Sequence, residues 1–291
     1  PPQKRAHLSF SYDVEPVKEV LHVRDLALSV GEGSERRQLF KGLRLDVLRG
    51  EKIAIIGENG AGKTTMAKMT NGLLRPTSGE VLVGEQPTVN KTVAAISRHV
   101  GYVFQNPDDQ ICNQSIFKEV SYTLRYNKTY PPDEIRKRTE AALDVVGMKG
   151  MEEVNPYDIS FSHRKFVTIA SVILQDPEVV LLDEPTAGQD KDCMDRLSSL
   201  IALLHQQGKA VVTITHDMSF VVQNFDRVVV MAHGDIIADA EPREIFWDLD
   251  VLREAALSQP YTSALAHRLG LSGNILTAEE FVAAMPNKGA I

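Results

Sequence analysis

The sequence predicts an α/β fold: a core sheet of buried strands, an antiparallel β portion ahead of it, an inserted α-helical subdomain, and a small, mostly helical C-terminal extension. Three observations predict it. Short, nearly continuous apolar runs recur at Lys52-Ile53-Ala54-Ile55-Ile56, Val179-Val180-Leu181-Leu182 and Ala210-Val211-Val212-Thr213-Ile214, as in central strands covered on both faces. Between the first and second runs the chain turns helical, with apolar residues at helical spacing over 133–146 and 165–174. Upstream, Leu26-Ala27-Leu28-Ser29-Val30 and Leu43-Arg44-Leu45-Asp46-Val47 alternate as half-buried strands do, with residues 31–35 as the turn between them.

A chain of 291 residues accommodates one large domain with an appendage, or two modest domains. Residues 1–20 are polar, carry three prolines and read as an N-terminal extension or a partly ordered strand. Residues 21–242 form the main domain, with the helical subdomain at about 107–172. Residues 243–291 form the C-terminal extension, a candidate dimerisation segment. Within it Thr277-Ala278-Glu279-Glu280 spells a capping box, and Ala278, Phe281, Val282 and Met285 make one apolar stripe, either packed or an interaction surface.

Composition excludes some functions. A net charge of -7 argues against a nucleic-acid binder. The basic run Arg136-Lys137-Arg138 shares its helical stretch with Ile135, Ala142 and Val146, and reads as a solvated face. Cys112 and Cys193 show neither metal-type spacing nor a disulfide framework. No apolar run approaches the ~18–20 residues that span a bilayer, and the first residues lead into no signal-peptide h-region. The expectation is a soluble chain that serves a membrane only through partners.

The chemistry is concentrated at the strand ends. The run from Lys52 leads into Gly57-Glu58-Asn59-Gly60-Ala61-Gly62-Lys63-Thr64, a full Walker A pattern, which makes the core sheet that of a P-loop NTPase. Gly57, Gly60 and Gly62 let backbone N–H groups, Asn59 among them, curl around phosphates with no Cβ in the way. The next helix points its positive end at the same anion. Lys63 reaches the β- and γ-phosphates, the Thr64 hydroxyl ligates Mg²⁺, and Thr65 adds a contact near the α-phosphate. Val179 to Leu182 deliver Asp183 and Glu184, as a Walker B strand does. Asp183 is the Mg²⁺ ligand, directly or through water, and Glu184 the general base that polarises the attacking water. His216 ends a further buried strand, where it can contact the γ-phosphate. Gln105, between the two Walker motifs, binds Mg²⁺ or the attacking water.

The ordered strings GENGAGKTT, FQNP, DEPTAGQD and ITHD resemble the ATP-binding-cassette family over roughly residues 21–245. Asn106-Pro107-Asp108-Asp109-Gln110, Asn155-Pro156-Tyr157-Asp158 and the tail over 269–285 are more narrowly similar to the ATPases of energy-coupling factor importers. The resemblance implies an ATP-hydrolysing subunit at the cytoplasmic face of the cell membrane, paired head to tail with a second ATPase subunit. Its partners are then a transmembrane coupling protein and a substrate-binding membrane protein for a vitamin or transition-metal ion, with no nucleic acid. Asp190, at the D-loop position, and Ser160, in the signature, would face the partner's nucleotide.

The sequence departs from the family pattern twice. The signature Leu-Ser-Gly-Gly-Gln becomes Ile159-Ser160-Phe161-Ser162-His163, which keeps only the serine. This favours a heterodimer with a standard partner over a homodimer, and keeps open a mainly regulatory nucleotide-binding role in an asymmetric pair. The resemblance implies that the aromatic that stacks on adenine should fall near Val30, which cannot stack, while Phe10 and Tyr12 lie farther upstream. A soluble ATPase of DNA repair would call for a long coiled coil or a basic face, and the sequence has neither.

Overall fold

The apolar runs become one six-stranded sheet, and its two faces explain why the runs are continuous. The computed structural model describes residues 18–31, 37–128, 130–271 and 273–285. The strands are β1 (Glu19–Val30), β2 (Arg37–Leu48), β3 (Lys52–Gly57), β4 (Ser78–Val83), β5 (Gln86–Pro87), β6 (Val100–Val103), β7 (Val179–Asp183), β8 (Ala210–Ile214), β9 (Arg227–Ala232) and β10 (Asp235–Ala240). The helices are α1 (Lys63–Thr70), α2 (Val93–Ile96), α3 (Ile116–Val120), α4 (Tyr122–Asn127), α5 (Pro132–Val145), α6 (Phe161–Ile173), α7 (Lys191–Gln206), α8 (Met218–Asn224), α9 (Pro242–Trp247), α10 (Leu249–Glu254), α11 (Tyr261–Arg268) and α12 (Ala278–Ala284).

The large sheet runs β10-β9-β3-β8-β7-β6, parallel from β9 to β6, with β10 antiparallel at its edge. Its side chains alternate between two cores, as the pleat requires. Ala54, Ile56, Val180, Leu182, Val228 and Val230 pack with helix residues such as Phe166, Leu197 and Phe246. Ile53, Ile55, Val179, Leu181, Val212 and Val229 face the other way, onto Leu26, Leu43 and Val47 of the second sheet and Met66 of α1. That second sheet, order β2-β1-β4-β5, is antiparallel throughout. Arg227 joins the two, donating to Asp46 O at 2.9 Å and pairing with Glu51 and Asp239.

β1 begins at Glu19, so residues 19 and 20, placed in the N-terminal extension on composition, belong to the strand because Val20 is buried in the core. Residues 1–17 and 32–36 lie outside the described residues, and with them Phe10, Tyr12 and most of the turn at 31–35. Helices α3 to α6 occupy the chain between β6 and β7. The basic run on α5 faces out, with Arg136 paired to Glu140 and Arg138 to Glu134, while Ile135 and Ala142 turn inward. Cys112 and Cys193 are both free thiols. Among the described residues no helix is long and apolar enough to cross a membrane.

The last helices divide in character. Phe246, Leu252, Ala255 and Leu276 join the main helical core. α12 begins with the capping box at Thr277 and buries none of its own residues. Its predicted stripe is therefore only partly covered, with Phe281 half-buried and Val282 72% exposed.

Candidate functional site

β3 delivers the chain to Gly57, whose φ of +149° and position against β9 exclude a side chain: a Cβ there would stand 2.0 Å from Met231 O. Gly62 caps α1 at φ +99°. From the first turn of α1, Lys63 is buried, and its Nζ donates to Gly57 O and Glu58 O, both at 2.7 Å. Burial lowers the Lys63 pKa, while Glu184, Asp183 and Glu58 oppose the shift.

The strand β7 carries the two carboxylates to the same place. Thr64 Oγ1 donates to Asp183 Oδ1 at 3.1 Å, and Tyr102 on β6 donates to Asp183 Oδ2 at 2.6 Å. That phenol pKa is pushed up by its burial and then by Asp183. Two oxygens about 3 Å apart match neighbouring ligands around Mg²⁺, whose bonds are ~2.0–2.1 Å. The residues present therefore fit the ion.

Glu184 comes next with φ +47°, its N–H donating to Ile214 O of β8 at 2.9 Å. Its carboxylate Oε1 lies 3.1 Å from His216 Nε2. Burial raises the Glu184 carboxyl to about 7, with Asp183 adding to the shift, against the pull of Lys63 and Lys165. Burial lowers His216, as does the nearby Lys63. Such a carboxyl titrates close to neutral pH, where a general base works best.

A cleft of about 1000 Å³ opens over these groups, lined by Asn59, Gly60, Gly62, Lys63, Thr64, Thr65, Gln105, Glu184 and His216. The structure thus brings Asn59, Gly60, Gly62, Lys63, Thr64 and Thr65 to one cavity with Gln105, Glu184 and His216, with Gly57 outside the lining at the end of β3 and Asp183 hydrogen-bonded to Thr64. Ser160 and Asp190 are not among the lining residues. They cap helices instead: Ser160 accepts from His163 N and touches His163 Nδ1 at 2.7 Å, and Asp190 accepts from Cys193 N at 2.8 Å. Val30 is half-exposed at the end of β1 and also lies outside the lining.

Three contributors carry no signal in the sequence motifs. Tyr102 holds Asp183 from a neighbouring strand. Tyr261, at the start of α11, brings a ring to the cleft rim. Lys165 Nζ donates to Glu184 O at 2.7 Å and Ala187 O at 2.9 Å. Each acts across elements distant in sequence, which no local pattern records. Phe161, which replaces a signature glycine, has its ring 5.4 Å from Lys165 Nζ and packs beside Gly188. Ser162 Oγ donates to Gly188 O at 2.9 Å.

The family model described as ABC transporter matches residues 40–187. The chain is 37% identical to the energy-coupling factor transporter ATP-binding protein EcfA of Methanothermobacter thermautotrophicus, covering 87% of this chain and 81% of the relative. It is 38% identical to EcfA1 of Caldanaerobacter subterraneus, covering 90% and 97%. The solved structure of cbiO1 from Clostridium perfringens, described as part of the ABC transporter complex cbiONQ, superposes with a TM-score of 0.72 at 32% identity, over 87% of this chain and all of that one. A phosphate loop, paired carboxylates and a histidine converge on one cleft, in a chain this close to such relatives: it belongs to the ABC transporter family and is the ATP-binding, ATP-hydrolysing subunit of a transporter, most like the ATPases of energy-coupling factor systems.

Proposed function

We propose that this chain powers an energy-coupling factor importer for a vitamin or transition-metal ion, by nucleotide-driven closure of an ATPase dimer on the cytoplasmic face of the membrane. The single observation that carries the chemistry is the pair formed by Glu184 and His216 above the Thr64–Asp183 contact. Lys63, Thr65 and the N–H groups of Gly57 to Gly62 hold the phosphates of ATP. Thr64 and Asp183, with Gln105, hold Mg²⁺, which when bound neutralises charge on the phosphates. Glu184 takes the proton of the attacking water, and His216, 3.1 Å from that carboxylate, would contact the γ-phosphate.

The relatives' names support the energy-coupling factor transporter part of this reading, and cbiO1, described as part of an ABC transporter complex, supports a larger assembly. The partners are then a transmembrane coupling protein, a substrate-binding membrane protein and a second ATPase subunit, whose site Ser160 and Asp190 would face. The changed signature favours a non-identical partner, and it also supports the second reading, a mainly regulatory subunit. Purification of the chain from its native membrane tests the assembly. The expected result is co-purification with two membrane-spanning proteins and a second ATPase. A chain that purifies and hydrolyses ATP fully with no membrane protein attached would overturn the assembly, and a purified complex that exports rather than accumulates solute in vesicles would overturn the direction of transport.

A further inference from the structure

Lys165 is 3% exposed, on the second turn of α6, and reaches out of its own helix. Its ammonium donates to Glu184 O and Ala187 O, the carbonyls that bracket the turn after β7. A buried ammonium is costly unless its hydrogen bonds are replaced, and a leucine or methionine would fill the same volume without that cost. The charge therefore earns its place through what it grips. Burial lowers Lys165 to about 8, with Glu184 and Asp183 opposing the shift, and the Phe161 ring at 5.4 Å offers its face to the cation.

What it grips is under strain. Glu184 is a non-glycine residue at φ +47°, a conformation that persists only where the surroundings impose it. The N–H of Glu184 is fixed by Ile214 O on one side, and its carbonyl by Lys165 on the other. Those two hydrogen bonds define the peptide planes on either side of the residue, and so the direction of its side chain.

We propose that Lys165 is a positioning residue for ATP hydrolysis: from the signature-bearing helix it clamps the main chain of Glu184 to Ala187, so that the Glu184 carboxylate faces the phosphate cleft. The proposal rests on the reading of Glu184 as the base. It also gives a route between sites, because the helix that presents Ser160 outward is bonded directly to the residue that acts within this chain's own cleft.

The test is a double-mutant cycle on the full chain, in the complex with which it purifies, with phosphate release measured at saturating ATP. Lys165→Met should lower kcat by ~10²-fold, the scale of a small misplacement of a reacting group, and leave KM for ATP nearly unchanged. Lys165→Arg, with more donors, should restore most of that rate. Adding Lys165→Met to Glu184→Gln should cost nothing further, since a residue that acts through Glu184 has nothing left to aim. If Lys165→Met does not fold, Lys165→Gln takes its place in the cycle. Additive losses would assign Lys165 a general structural role and overturn the proposal. An inactive Glu184→Gln beside an active Lys165→Met removes this proposal alone, whereas wild-type turnover by Glu184→Gln removes the base assignment and the proposal with it.

Discussion

His216 Nε2 stands 3.1 Å from Glu184 Oε1, one residue from the end of β8 and the other from the end of β7. The pair sits in the cleft that holds Lys63 and Thr64. Glu184→Gln keeps size and hydrogen bonding but removes the base. It should preserve Mg-ATP binding and lower turnover by ~10²–10⁴-fold. Nucleotide binding and phosphate release, measured on the same preparation, check this. Wild-type turnover from a complex with no other intact site would defeat it.

The same carboxyl makes stability depend on pH. Burial raises Glu184 from 4.5 to about 7, so the folded chain binds a proton that the unfolded chain gives up between those values. The contribution of this group to stability is fully present below about 4.5 and is lost as pH rises through 7. The loss is roughly 3 kcal/mol at most. Glu184→Gln escapes it, so without nucleotide its Tm should exceed that of the wild type at pH 8, with the difference shrinking toward pH 5. Equal Tm values at pH 8 would show that the carboxylate is not held in a dry setting.

Base recognition should be loose. The family resemblance places the adenine-stacking position near Val30, which is half-exposed and has no ring to stack, and a stacked ring is worth on the order of 1–3 kcal/mol per base. A competition assay should show weak preference for ATP over GTP. Strong preference would give the role to another ring, with Tyr12 the first candidate from the sequence and Tyr261 the ring at the described cleft.

The changed signature should make the assembly asymmetric. Phe161 and Ser162 put side chains where glycines let backbone N–H groups approach a γ-phosphate, and both are engaged with Gly188 of their own chain. The partner's site is then weakened, and the site built from Lys63 and Glu184 carries most of the turnover. Glu184→Gln should therefore harm the complex far more than the matching change in the partner subunit. Equal damage would defeat the asymmetry, and a fully active homodimer would show that the glycines matter less than their geometry implies.

The parts of the site written along single stretches of chain were legible in the sequence. Lys63 and Thr64 come after a glycine turn at a strand end, and Asp183 and Glu184 end an apolar run, so local pattern placed them. The two-faced core was legible for the same reason, since a strand buried on both sides has no polar alternation to offer. Tyr102 and Lys165 were not, because their partners lie across the fold and a tyrosine on a strand or a lysine on a helix has no pattern of its own. The stripe on α12 was legible as a helix but not as an exposed one, because periodicity says which residues share a face and not what covers it.

α12 is tethered to the body by charge. It buries no residue of its own, and its hold runs through Glu280, which pairs with the Arg243 guanidinium and accepts from Leu276 N. The Arg243 contact is the main reason that the Glu280 carboxyl is pushed down to about 2, so the pair stays charged through mildly acidic pH. Ionic strength is the better lever, because half-exposed charge pairs are screened within ~3 Å at 1 M salt, while apolar burial is not weakened. The terminus should behave as a salt-released flap: amide exchange over 278–284 should quicken in 1 M sodium chloride while β3 and β8 stay protected. Unchanged exchange there would mean that the apolar stripe is already covered in solution, and that the last helix is glued by contact rather than by charge.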